Sequence, residues 1–146
     1  MGKIEHMTTQ DLIERLEILN KKTNEEWVTS LDERKQKEIE FHNLDKDKTL
    51  AKEEYERIHE NAKFYKTTQL VTEYVDDWIA RHSKGKVFLD YACGDGLNAV
   101  KAAKAGAELT IGLDISDVSI ESARSIARKE GVSGSTYFIQ GDCENT

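Results

Sequence analysis

Ten residues, Val87 to Gly96, constrain this chain more than any others; they read VFLDYACGDG. Val87, Phe88 and Leu89 form a short continuous apolar run, as in a strand buried on both faces. Asp90 follows, then a turn containing Gly94 and Gly96. Residues 97–105 are alanine-rich and helical in pattern, and Gly106 can end that helix. A strand that bends through glycines straight into a helix opens a strand–helix–strand unit.

The rest of the C-terminal half continues the alternation. A second strand is predicted over 108–113, around Leu109, Ile111 and Leu113. Ser116 caps a helix over 117–130, and Gly131 stops it. Tyr137, Phe138 and Ile139 mark a third strand running into Gly141, Asp142 and Cys143. Alternation of this kind yields an α/β fold with a parallel sheet.

Before Gly85 the pattern is helical. Leu12, Ile13, Leu16 and Leu19 share one face of a predicted helix over 9–20, with Thr8 or Thr9 as its cap. Further helices are predicted over 24–41 and 50–64. A stronger one spans 68–82, capped by Thr67 or Thr68, with a broad stripe of Leu70, Val71, Tyr74, Val75, Trp78 and Ile79. Two regions follow: a helical extension, 1–66, and an α/β region, 67–146.

Charge and hydropathy remove several classes of function. The net charge of −7 is shared by both halves, so no basic stripe offers a polyanion a footprint and nucleic acid is not the expected partner. No apolar run approaches the roughly 20 residues that span a bilayer, and no membrane role is expected. The N-terminus lacks the apolar core of a secretory signal, so a cytoplasmic location is expected. Cys93 and Cys143 are the two cysteines; neither lies in a CxxC, and no metal site is expected.

Chemistry concentrates at the strand ends. Gly94 and Gly96 let a ligand approach the backbone closely, and the helix that follows aims free N–H groups at the same place. Asp114, at the end of the second strand, can accept hydrogen bonds from the two hydroxyls of a ribose and repels a 2′-phosphate. Gly94 to Ala99 also satisfies the loose GxGxx(G/A) pattern of a dinucleotide site. Charge separates the two cofactor classes. A pyrophosphate at ~5 Å from Asp90 or Asp95 is repelled by about 3 kcal/mol per charge pair at an effective dielectric of about 20. S-adenosylmethionine has no phosphate and carries a sulfonium and an ammonium, which carboxylates favour.

The segment 86–142 resembles the class I, Rossmann-like, S-adenosylmethionine-dependent methyltransferases. Asp90-Tyr91-Ala92-Cys93-Gly94-Asp95-Gly96 is similar to that family's first motif, Leu113-Asp114-Ile115-Ser116 to its acidic residue after strand two, and Gly141-Asp142-Cys143 to its third-strand motif. The resemblance implies that Asp90 holds the methionine amino group through water or backbone. Ala92, Cys93, Gly94 and Gly96 would line the methionine part. Asp114 would bind the ribose and Ile115 would pack on adenine. Asp142 would meet the adenine amino group, and the backbone of Cys143 a ring nitrogen. Ala92 stands where the family has its first glycine, a replacement that is tolerable if φ there is not positive.

The resemblance further implies a partial sheet of three strands in the order 3-2-1, a chain truncated after the third, and inactive alone. The catalytic residues would then lie elsewhere. The first strand would be an open apolar edge that invites self-association. Because no basic patch points to nucleic acid, the expected acceptor is a small molecule. An NAD-binding half of an oxidoreductase, or a non-catalytic interaction module, are the alternatives.

Other features read more plainly. Cys93 and Cys143 are packing residues with aspartate neighbours, and His6, His42, His59 and His82 have no metal spacing. Asp45, Asp47, Thr49 and Glu56 follow calcium-loop spacing, but Leu50 replaces the glycine the loop needs, so a solvated turn is expected. Trp27 and Trp78 are expected to anchor packing, Tyr55, Phe64 and Tyr65 to pack or to close over a cofactor, and Asp32 to Glu40 to form a wet helix face.

Overall fold

Three short strands, β1 (Val87–Tyr91), β2 (Leu109–Asp114) and β3 (Thr136–Gln140), pair in parallel in the order β1-β2-β3, as expected. The computed structural model describes residues 7–45 and 62–144. The helices are α1 (Thr9–Leu19), α2 (Asn24–Val28), α3 (Glu33–Asp45), α4 (Ala62–His82), α5 (Leu97–Lys104) and α6 (Asp117–Lys129). The fold is α/β and Rossmann-like, with α5 and α6 as the crossovers between parallel strands.

Side chains alternate along β2 and so divide the core in two. Leu109, Ile111 and Leu113, with Ile139, face Leu16 of α1. On the other face, Phe138 packs with Ala99 and Val100 of α5 and with Ile120, Ala123 and Ala127 of α6. Small alanines let these helices approach each other and the sheet closely, while Phe138 fills the space over Gly112. A third cluster joins Ile79 of α4 to Ala102 and Ala107, with Val75 and Phe88 against it.

Local chemistry explains where the helices begin. Thr8 and Asp11 form a reciprocal capping box on α1, and Thr23 and Glu26 do the same for α2. The Oγ of Ser116 accepts from the Ser119 N–H at 3.1 Å and caps α6. The single helix expected over 24–41 is two. α2 stops at Val28, and a new helix starts after Asp32, whose carboxylate accepts from the Lys35 N–H at 3.0 Å.

Four expectations about the helices before β1 need correction. The helix expected to start after Thr67 or Thr68 runs through both from Ala62. Its broad apolar stripe turns only Val75 and Ile79 inward, leaving Leu70, Val71 and Tyr74 mostly exposed. Trp78 is half exposed and stacks on His82 with ring centroids 4.9 Å apart. The charged run 32–40 is not a uniformly wet face either, because Lys35 and Ile39 are buried. His6, His59 and Tyr55, most of the helix over 50–64, and the loop positions Asp47, Thr49, Leu50 and Glu56 lie outside the described residues, as do the side chains of Asp45, Phe64 and Tyr65.

Candidate functional site

Hydrogen bonds from three backbone N–H groups hold the loop that leaves β1. The Cys93 N–H donates to the Leu113 carbonyl at 2.9 Å, and the Gly96 N–H returns to the Cys93 carbonyl at 2.9 Å. The Gly94 N–H donates to Oδ2 of Asp114 at 2.8 Å, while the other oxygen of Asp114 accepts from the Ser116 N–H at 2.9 Å. Asp114 therefore ties the loop after β1 to the loop after β2. A carboxylate offers about four lone-pair sites, so each oxygen keeps capacity for a ligand hydroxyl.

The turn demands unusual backbone. Gly94 and Gly96 have φ of +54° and +69°. Ala92 also sits at φ +53°, so the condition for its easy replacement of glycine is not met. A left-handed alanine costs about 1–2 kcal/mol relative to glycine, a strain the surrounding hydrogen bonds must hold.

Beside this loop, at the carboxyl ends of the strands, lies a cavity of about 470 Å³. Six of the nine candidate residues line it: Ala92, Gly94, Asp114, Ile115, Asp142 and Cys143. Its size suits a small organic ligand. A Cβ built on Gly94 would meet no atom within 4 Å, so the missing side chain leaves open space where a ligand can reach the backbone.

The other three candidates sit behind this wall. Gly96 is closed off by Phe138 and Ala123, and its role is to let the loop and α5 pack. Cys93 packs against the α5–α6 core. Burial pushes its thiol up to about 12, with the Asp114 and Asp90 carboxylates adding to the shift, which removes it as a nucleophile. Asp90 is partly buried, and burial, with the nearby Asp114 charge, holds its carboxyl above the ordinary 3.8; a hydrogen bond with the backbone of Ala99 opposes this. Its Oδ2 is buried without a hydrogen-bond partner. A desolvated carboxylate oxygen of this kind is stabilised by a cationic ligand group.

Helix α3 supplies what the sequence reading missed. Lys35, Glu38 and His42 face the same cavity. Lys35 is buried and pairs with Asp142, and with Glu144 at 3.1 Å. Further along the helix, Asn43 donates to Asp117 at 2.9 Å and accepts from the Ser116 hydroxyl at 2.6 Å. Lys35 is the one lysine or arginine on the cavity among the described residues, and it is already engaged by carboxylates. Asp95, Asp114 and Asp142 thus leave the cavity acidic, unsuited to a pyrophosphate. A larger cavity of about 760 Å³ lies at the β3 edge, walled by α1, α2 and α6; of the nine candidates it touches only Asp142.

A parallel sheet with a glycine turn after β1 and acidic residues at the ends of β2 and β3 defines a Rossmann-like domain for a nucleoside cofactor. Residues 82–146 match the family described as Methyltransferase domain. The ribosomal protein L11 methyltransferases of Tolumonas auensis and Photobacterium profundum are 42% and 40% identical to this chain over 67 residues, which is 46% of this chain and 22% of each relative. The chain thus spans little more than a fifth of the curated relatives' length. Among solved structures, an RNA methyltransferase from Salinibacter ruber in complex with S-adenosyl-L-homocysteine is 27% identical over 49% of each chain, with a TM-score of 0.45. The Trypanosoma brucei PRMT1 enzyme–prozyme complex is 37% identical over 51% of this chain and 24% of that one, with a TM-score of 0.47.

These relatives overturn one expectation. The L11 methyltransferases are named for a ribosomal protein, which contradicts the small-molecule acceptor inferred from the absence of a basic patch. Net charge reports on polyanion binding and carries no information about whether an acceptor is a metabolite or a protein side chain. As to membranes, no described helix is long and apolar enough to cross one.

Proposed function

We propose that this chain binds S-adenosylmethionine as the cofactor-holding part of a methyltransferase whose methyl acceptor is a protein. Residues 67–146 are the cofactor-binding half, and the extension 1–66 contributes α3 as a wall of the pocket. The observation that carries the reading is the acidic cavity beside Gly94, rimmed by Asp114 and Asp142, with the unpartnered oxygen of Asp90 behind its loop.

The residues fit that cofactor part by part. Asp90 stabilises the ammonium through the loop backbone or a water. Gly94 admits the methionine portion. The free lone pairs of Asp114 accept from the ribose hydroxyls, Ile115 flanks the adenine, Asp142 accepts from its amino group, and the Cys143 backbone meets a ring nitrogen. When bound, the cofactor supplies a sulfonium methyl to an acceptor held in line with it. The L11 relatives support the protein acceptor by the substrate in their name.

The two cysteines test this reading without an activity assay. Cys143 is exposed and lines the cavity, whereas Cys93 is packed behind the loop with its thiol raised to about 12. Iodoacetamide followed by mass spectrometry is expected to label Cys143 and spare Cys93. S-adenosylhomocysteine at ten times its dissociation constant should slow Cys143 labelling roughly tenfold, as occupancy dictates. Equal rates with and without it, or protection by NAD instead, would refute the proposal.

A further inference from the structure

Lys35 lies outside the segment matched by the methyltransferase family, yet it reaches the far side of the cofactor cavity. Its side chain is 7% exposed and that of Asp142 is 10% exposed. One oxygen of Asp142 takes the Lys35 ammonium, and the other accepts from the Glu144 N–H at 3.0 Å. A carboxylate this far out of water binds a proton unless a cation compensates it. That choice matters for recognition. An ionised carboxylate only accepts hydrogen bonds, a protonated one also donates, and the adenine amino group is a donor.

Among the described residues, few cations other than Lys35 come near Asp142; Arg34 of α3 pairs with Glu144 at 3.0 Å and with Glu38 at 3.7 Å. From the cofactor cavity come Glu38 and His42 of α3, Asp95 and Asp114 at the loop ends, and Glu144, mostly carboxylates that would push a proton onto it. From the larger cavity come Asp117 and Glu121, with two cations, Lys22 and Arg124. Arg124 is committed to Glu121 at 2.5 Å, to Asn20 at 3.0 Å and to the Phe138 carbonyl at 2.8 Å. Lys35 is buried with its ammonium on Asp142 itself.

We propose that Lys35 is a positioning residue of the cofactor site: it keeps Asp142 ionised and aimed as the acceptor for the adenine amino group, so that α3 takes part in cofactor recognition. The inference rests on the cofactor reading above. The pull of Asp142 and Glu144 holds the Lys35 ammonium above its ordinary value of 10.5, so the pair persists through neutral pH. Asn43 fixes the same helix at Ser116 and Asp117, which keeps Lys35 in register with its partner.

The test is calorimetric titration of S-adenosylhomocysteine into the wild-type protein, Lys35→Gln and Lys35→Arg at about pH 8 and about pH 5.5. Glutamine keeps bulk and a donor but not the charge. Wild type and Lys35→Arg should change affinity less than about threefold between the two conditions. Lys35→Gln should weaken by about tenfold or more on acidification, since a required carboxylate loses tenfold per pH unit below its pKa. A flat profile for Lys35→Gln, or tighter binding than wild type, overturns the role of Lys35 while leaving the cofactor reading intact. No binding by wild type in either condition removes the cofactor reading itself. Should Lys35→Gln fail to fold, the Asp142 carboxyl carbon of the wild-type protein decides by NMR. It should show the shift of an ionised carboxylate at about pH 5.5 as at about pH 8, and the shift of a protonated carboxyl at about pH 5.5 would contradict the proposal.

Discussion

Gly96→Ala is expected to destabilise the fold by about 2–5 kcal/mol, a large part of the roughly 5–15 kcal/mol that holds a domain together. Two costs add. The backbone stands at φ +69°, where alanine loses about 1–2 kcal/mol. The new Cβ would also lie 2.4 Å from Cε1 of Phe138 and 2.8 Å from Cβ of Ala123. Neither neighbour can retreat, since Phe138 is 2% exposed and Ala123 is fully buried in the same core cluster. Overpacking of this sort costs about 1–3 kcal/mol. Gly94→Ala is the control: its backbone is equally left-handed, but its Cβ meets nothing, so only the first cost applies. Urea denaturation should therefore give a much lower midpoint for Gly96→Ala than for Gly94→Ala, with unchanged slope. Equal midpoints would mean that Phe138 does not close against the loop as described.

The second large effect is on binding. Asp114→Ala should weaken S-adenosylhomocysteine by about a hundredfold, the equivalent of about 3 kcal/mol. Hydrogen bonds to a charged acceptor contribute about 1.5–3 kcal/mol each, and two ribose hydroxyls would be left without theirs. The variant also releases the Gly94 and Ser116 N–H groups, so the two loops that flank the cavity lose their tie. Asp114→Asn retains one acceptor oxygen and should fall between the two. Calorimetry gives the affinities, and the Gly94 amide resonance reports whether the tie has opened. An Asp114→Ala protein that binds as tightly as wild type would place the ribose elsewhere.

Much of the C-terminal half was legible in the sequence because its signals are local. The strand at Val87–Leu89 is a run of apolar residues, its turn is marked by Gly94 and Gly96, and the cap at Ser116 acts over three residues; the burial expected on both faces of that strand does not hold, because β1 is a sheet edge with Val87 and Leu89 each 47% exposed. What escaped depends on partners distant along the chain. Lys35 reads as one more charge in a solvated run, and only folding brings it to Asp142, 107 residues away. The stripe on α4 has helical spacing, but spacing does not say which of its residues meet a neighbour, and only Val75 and Ile79 do. Ala92 was readable as a residue type, whereas its positive φ is set by the hydrogen bonds that hold the following turn. The break between α2 and α3 was visible in principle, because Asp32 stands three residues before the N–H it caps.

On the proposed function, the pocket accepts an adenosyl amino acid and repels a pyrophosphate. Side-by-side calorimetric titration of S-adenosylhomocysteine and NAD into the wild-type protein tests it most directly. Saturable one-to-one binding of S-adenosylhomocysteine and no measurable heat with NAD are expected. Saturable NAD binding with no response to S-adenosylhomocysteine would contradict it.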